Sequence, residues 1–170
     1  MNKPVIETER LILRPMNAND SEAVFACLGN PVVNKYLSDS LYKNVEEVID
    51  LLTSLANYSG YTFGIELKET NELIGSCGIG PENTDSEWGF DYSFRPEFWN
   101  NGYATEALKA LIKFAYGFGI RYFCASFVID NPASGKVMEK CGLHFDHYGE
   151  FTKDDGSATF KSKYYKMHLD

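Results

Sequence analysis

Asn100, Asn101 and Gly102 make a tight turn between an aromatic segment that ends at Phe94 and an apolar-periodic stretch that opens at Tyr103. A helix that begins this way leaves several backbone N–H groups unpaired, all pointing the same way. With the positive end of the helix dipole, these donors form a site for a phosphate group. Gly102 stands where the backbone must come close to the anion and a side chain would block it. Asn is, after Gly, the residue that best tolerates left-handed backbone angles, which suits the two positions before it. An ordinary helix start with a glycine for the bend has the same residues, so the turn alone names no ligand.

Other residues could do chemistry. Glu87 and Asp91 fall on the polar side of the aromatic segment. Glu87 reads as a solvated strand end. Asp91, in an otherwise aromatic strand, is placed to steer a cationic amine or to take its proton. Cys141-x-x-His144-x-x-His147 has the look of metal spacing. Residues three apart in a strand face opposite ways, however, and a structural zinc wants four convergent ligands, so no metal is expected. His168 is isolated. Neither Gly-x-x-x-x-Gly-Lys-Ser/Thr nor Gly-x-Gly-x-x-Gly occurs.

Residues 92–107 resemble the pyrophosphate-binding loop of the GNAT family of N-acetyltransferases, most closely its Rim-type subgroup of ribosomal-protein N-terminal acetyltransferases. The family pattern, Arg or Gln, two residues, Gly, one residue, then Gly or Ala, appears as Trp99-Asn100-Asn101-Gly102-Tyr103-Ala104. Trp99 replaces the usual Arg or Gln, as in the Rim-like subgroup, and Asn100 stands where that subgroup has Gly. A second block, Asn131-Pro132-Ala133-Ser134 followed by Val137-Met138-Glu139-Lys140-Cys141-Gly142-Leu143, resembles the family's Asn-x-x-Ser and Glu-Lys-x-Gly-Phe signature. The start, Thr8-Glu9-Arg10-Leu11-Ile12-Leu13-Arg14, is similar too.

The resemblance implies an α+β fold with a mixed, mostly antiparallel central sheet, splayed parallel central strands and flanking helices. It implies acetyl-CoA as co-substrate, cradled by Phe94, Trp99, Asn100, Asn101, Gly102, Tyr103, Ala104 and Thr105. Asn131 and Ser134 would lie beside the pantetheine arm, whose amides an Asn can serve as donor and acceptor. The acetyl group would pass by direct attack in a ternary complex to a primary amine, a protein N-terminus or a small molecule. The resemblance points to Ser134 as general acid and to Glu150, before aromatic Phe151, as base, with Asp91 as the alternative base. Residues 31–44 and 150–159 are expected to wall the acceptor site. A CoA-binding module without catalysis is the competing reading.

The elements that would position these groups follow from period and punctuation. Leu11-Ile12-Leu13 reads as a strand, and Asn19 with Glu22 three residues later opens a helix that ends at Gly29. Asn44 and Glu47 open a second, whose apolar face is Val45, Val48, Ile49, Leu52 and Leu55. Tyr61, Phe63, Ile65 and Leu67 alternate in a strand that returns over Leu73 to Ile79, and residues 81–85 read as a loop. Trp88, Phe90, Tyr92 and Phe94 line one side of the next strand. The helix after Gly102 buries Ala104, Ala107, Leu108, Leu111, Ile112 and Ala115. A strand over residues 122–128 suits burial on both faces. A helix then opens at Asn131 and Pro132 and closes at Gly142, ahead of a terminal hairpin turning at Lys153-Asp154-Asp155-Gly156. Nothing breaks residues 1–170 into more than one domain.

The formal net charge of −8 argues against non-specific binding to nucleic acid or to an anionic membrane, and suits a cationic substrate. Cys27, Cys77, Cys124 and Cys141 sit in apolar surroundings without paired spacing, as in a reducing compartment. No apolar run is long enough to cross a bilayer, and Met-Asn-Lys-Pro lacks a signal-peptide core. Cytoplasm is the expected location, and a homodimer is left open.

Overall fold

Alternating apolar residues give eight strands in one sheet in the computed structural model, which describes residues 4–84 and 86–170. In chain order the elements are β1 (Ile6–Glu7), β2 (Leu11–Arg14), α1 (Ser21–Leu28), α2 (Pro31–Asn34), α3 (Val45–Ser54), β3 (Tyr61–Leu67) and β4 (Glu72–Thr84). They continue with β5 (Glu87–Phe94), α4 (Tyr103–Gly117), β6 (Tyr122–Val128), α5 (Pro132–Lys140), β7 (His144–Thr152) and β8 (Thr159–His168). The strand order is β1-β2-β3-β4-β5-β6-β8-β7, and every neighbouring pair is antiparallel except β5 and β6. That parallel pair needs a crossover, which α4 provides.

The parallel pairing is brief. It joins Glu87 to Tyr122, Trp88 to Phe123 and Gly89 to Cys124, and then stops. Beyond it β5 stays with β4 as far as Gly75 opposite Phe94, while β6 stays with β8 as far as Val128 opposite Ser162. The two strands therefore part, as the resemblance implies, and leave a gap that opens toward Phe94 and Val128.

The main core lies between the sheet and α4. Leu11, Leu13, Ile65, Ile79, Leu108, Leu111 and Phe123 are fully enclosed, each contributing about 1.5–3 kcal/mol by burial. On the other face α1 and α3 pack Val24, Leu28 and Val48 against Leu73 of β4. Ile49 turns outward, so the buried stripe of α3 is narrower than its sequence suggests.

Several expectations change. The first cap is Asn17, not Asn19. Asn17 Oδ1 accepts the N–H of Asn19 at 2.9 Å, and the Asp20 carboxylate accepts the N–H of Asn17 at 2.8 Å around a 3-10 turn, Ala18–Asp20. Asp20 also holds Arg14, whose Nη2 lies 2.9 Å away, which ties the turn to β2. Strand β4 runs on through Pro81 instead of ending at Ile79; Asp85, the last residue of the expected loop, lies outside the described residues. Strand β6 is not buried evenly on both faces: Phe123 and Ala125 are enclosed on one, whereas Tyr122 and Ser126 are exposed on the other, which is buried only at Val128. A bulge at Asp146 brings His144 opposite Lys166 and His147 opposite Tyr164, so both histidines share a face. Among the described residues, no helix is long and apolar enough to cross a membrane.

Candidate active site

The turn before α4 is built as its sequence requires. Asn100 and Gly102 both have positive φ, 61° and 80°. The Trp99 indole N–H donates to the Phe94 C=O at 2.7 Å, anchoring the turn to the buried end of β5. The Asn101 amide donates to the C=O groups of Phe98 and Trp99 at 3.2 and 3.0 Å. No side chain caps α4 among the described residues, and Glu106 N–H donates to the Gly102 C=O at 3.1 Å. The N–H groups of Tyr103, Ala104 and Thr105 therefore lack intrahelical partners. The nearest atom to a β-carbon built on Gly102 would be an Arg10 guanidinium nitrogen at 3.5 Å, so the space above the turn is open. This bare helix start fits a pyrophosphate.

Sequence reasoning missed what splints the turn. Arg10 Nε reaches Glu106 Oε2 at 2.7 Å, its Nη1 donates to the Asn101 C=O at 2.9 Å, and its guanidinium lies 4.5 Å over the Tyr103 ring. Thr8 Oγ1 donates to Glu106 Oε1 at 2.6 Å. Burial alone would raise the Glu106 carboxyl, but hydrogen bonds from Thr8 and Arg10 hold it below the usual range. The signal lay in Thr8-Glu9-Arg10, which the sequence showed only as a family-like start leading into a strand.

At the gap, Asn131 takes the N-cap position of α5 without making a cap bond. Its amide is thus not used up by the helix. Ser134, half-buried one turn on, has its Oγ 2.7 Å from the phenolic oxygen of Tyr92. Tyr92 faces the α5 side of β5. Burial raises its phenol to about 12, although the Ser134 bond lowers it.

Asp91, the next residue back, faces the other way. Gly78 lies opposite it in β4, and a β-carbon there would fall 2.8 Å from Asp91 Oδ2. Glu82 likewise lies over Gly89, where a β-carbon would fall 2.6 Å from its Oε2. Glycines thus form a floor that lets two carboxylates lie flat on the strands. Water reaches Asp91, yet the surrounding protein desolvates its carboxyl and, with the charges of Asp39 and Glu82, raises it to about 6. Tyr58 feels the same two carboxylates, Asp91 and Glu82, after its own burial.

Glu150 does not join this group. Cross-strand partners share a face, and Gly89, Cys124, Lys166, Ser162 and Gly149 follow one another across the sheet on the Asp91 face. Glu150, next to Gly149 and opposite Lys161, therefore projects from the α5 side, exposed on β7. The two expected acceptor walls do meet. Lys153 Nζ donates to the C=O groups of Asn34 and Leu37, both at 2.8 Å, and to Asn34 Oδ1 at 3.2 Å. Ser40 Oγ donates to Asp155 at 2.9 Å.

A family model described as an acetyltransferase (GNAT) domain matches residues 10–144, a span that includes the turn, the gap and both blocks around them. The chain belongs to the GNAT acetyltransferase family. Among its GNAT relatives, "Uncharacterized N-acetyltransferase YoaA" of Bacillus subtilis is 34% identical over 150 residues, 82% of each chain. A crystal structure of a GNAT-family acetyltransferase from Bacillus anthracis superposes with a TM-score of 0.87 at 24% identity, covering 97% of this chain and 98% of that one. Spermidine N-acetyltransferase from Vibrio cholerae, solved with CoA and spermine, gives 0.82 at 16% identity over 95% and 96%. As a GNAT enzyme the protein is an acyltransferase, and acetyl-CoA is its co-substrate.

Proposed function

We propose that the protein acetylates a cationic primary amine by direct attack on acetyl-CoA, with Asp91 as base and Ser134 as acid. One observation carries this reading: past the last β5–β6 pair, Asp91 and the Tyr92–Ser134 pair lie on opposite faces of the same gap. The bare α4 start and the unused Asn131 amide would hold the pyrophosphate and the pantetheine arm on the α5 side. The acetyl group would then be reached from the acidic side.

An alkyl amine has an ordinary pKa near 10.4 and arrives protonated. Asp91, raised to about 6, is ionised at neutral pH and is a stronger base than a solvated aspartate. Ser134 would give its hydroxyl hydrogen to the departing sulfur. With Asp39 and Glu82 beside Asp91, the site favours a small di- or polyamine over a peptide N-terminus. Trp99 in the turn keeps the Rim-type resemblance, and with it N-terminal peptides, as the second class to assay.

The test is a mass-spectrometric screen of polyamines, monoamines and N-terminal peptides with acetyl-CoA. Acetylated polyamine is the expected product. CoA binding without turnover of any amine would make the protein a CoA-binding module instead.

A further inference from the structure

Ser134 is not an isolated hydroxyl in a helix turn. Its partner Tyr92 comes from β5, 42 residues earlier, so the 2.7 Å contact ties the α5 end of one lip of the gap to the other. The Tyr92 ring is held by neighbours that include Phe94, its ring centroid 6.4 Å away. A phenol is a far stronger acid than an aliphatic alcohol, so between the two Tyr92 is the natural donor and Ser134 Oγ the acceptor. Burial keeps the phenol protonated at working pH, and so a donor throughout. Once Oγ accepts that bond, the serine hydrogen must turn away from Tyr92.

We propose that Tyr92 is the positioning residue for Ser134: its phenolic O–H donates to Ser134 Oγ and aims the serine hydrogen at the sulfur leaving through the β5–β6 gap. The inference rests on the reading of Ser134 as general acid. As the carbon–sulfur bond breaks, its electron pair goes to sulfur, which takes the Ser134 hydrogen. Tyr92, the stronger acid of the two, passes its own proton along the 2.7 Å bond to Oγ, and solvent then reprotonates the phenolate. While charge builds on Oγ, the bond from Tyr92 becomes charge-assisted, and such bonds are about twice as strong as neutral ones.

Thiol release from acetyl-CoA is measured for the intact protein, Tyr92→Phe, Ser134→Ala and the double variant, with spermine and without it. Without spermine, water takes the acetyl group, and the leaving-group step is still reported if polyamines are not the acceptor. Tyr92→Phe should lower kcat by about tenfold or more, within the range of general acid catalysis, and leave the KM for acetyl-CoA within about twofold. Added to Ser134→Ala it should lower kcat no further, because the two hydroxyls act as one unit. Independent, additive losses would assign Tyr92 to packing and overturn the proposal. Full turnover of Tyr92→Phe beside a crippled Ser134→Ala overturns it and leaves Ser134 as the acid. Full turnover of Ser134→Ala removes the acid reading itself, and this proposal with it. Loss of CoA affinity by calorimetry in Tyr92→Phe would make the phenol a co-substrate ligand and also overturn it.

Discussion

Asp91 carries two opposed demands at one residue. Its carboxyl ionises near 6 in the folded protein, above the ordinary value of about 3.9. The folded state therefore holds the extra proton between those values, and the stability linked to it is present at low pH and lost as pH rises through 6. Asp91→Asn should accordingly raise the melting temperature at pH 8 and leave it little changed at pH 4. The same change should lower kcat by about 10²- to 10⁴-fold and remove the acid limb of the pH–rate profile near 6. A lower melting temperature at pH 8 would mean the carboxylate is a structural partner rather than a base. Asp91 could be singled out in the sequence as the acid in the middle of an aromatic strand, Glu87 standing at its end. Tyr92 could not: it shares its alternation with Trp88, Phe90 and Phe94, and its partner Ser134 lies on another element. Glu150 shows the opposite failure, since position in a hairpin says nothing about which face the register presents.

At the scale of elements, the proposed acceptor side would depend on how the segment around α2 meets the β7–β8 turn. Lys153 alone makes three of the bonds between them, to Asn34 and Leu37. Lys153→Met keeps the length of the side chain and removes the charge and all three donors. It should raise the KM for the amine by about tenfold, the scale of one hydrogen bond to a charged group, and leave the KM for acetyl-CoA unchanged. Equal changes in both constants would show a general loosening instead. The two walls were anticipated as variable loops, but the lysine clip between them joins residues over a hundred positions apart, beyond any local pattern. Local signals served best where the backbone itself demanded a residue, as at Asn100 and Gly102 with positive φ. They failed at Pro81, read as the first residue of a loop. Beyond Ile79 strand β4 has lost β3 and keeps only β5 on one side, so a missing N–H costs nothing there. The bulge at Asp146 likewise inverts a face that strict alternation assigns.

Across the whole molecule, the sheet is two parts, β1–β5 and β6–β8, joined in the sheet plane by three parallel residue pairs. A ligand that threads the gap adds a bridge where the backbone supplies none. CoA at a hundred times its Kd should stabilise the fold by about 2.7 kcal/mol. For a chain of this size that is a rise in melting temperature of about 5–10 °C. Asn131→Ala sharpens the test because the side chain makes no cap bond. The free variant should therefore melt with the intact protein, without the loss of about 1 kcal/mol that removal of an Asn cap brings. Its CoA-induced shift should nevertheless shrink. A variant that melts early but keeps the full shift would make Asn131 a helix cap alone. Amide exchange locates the bridge: residues 90–94 of β5 and 125–128 of β6 both border the gap past their last shared pair. Both should exchange more slowly once CoA is bound. Slowing on β5 alone would place the arm on the surface of β5 and α4, and would sink the idea that it passes between the strands.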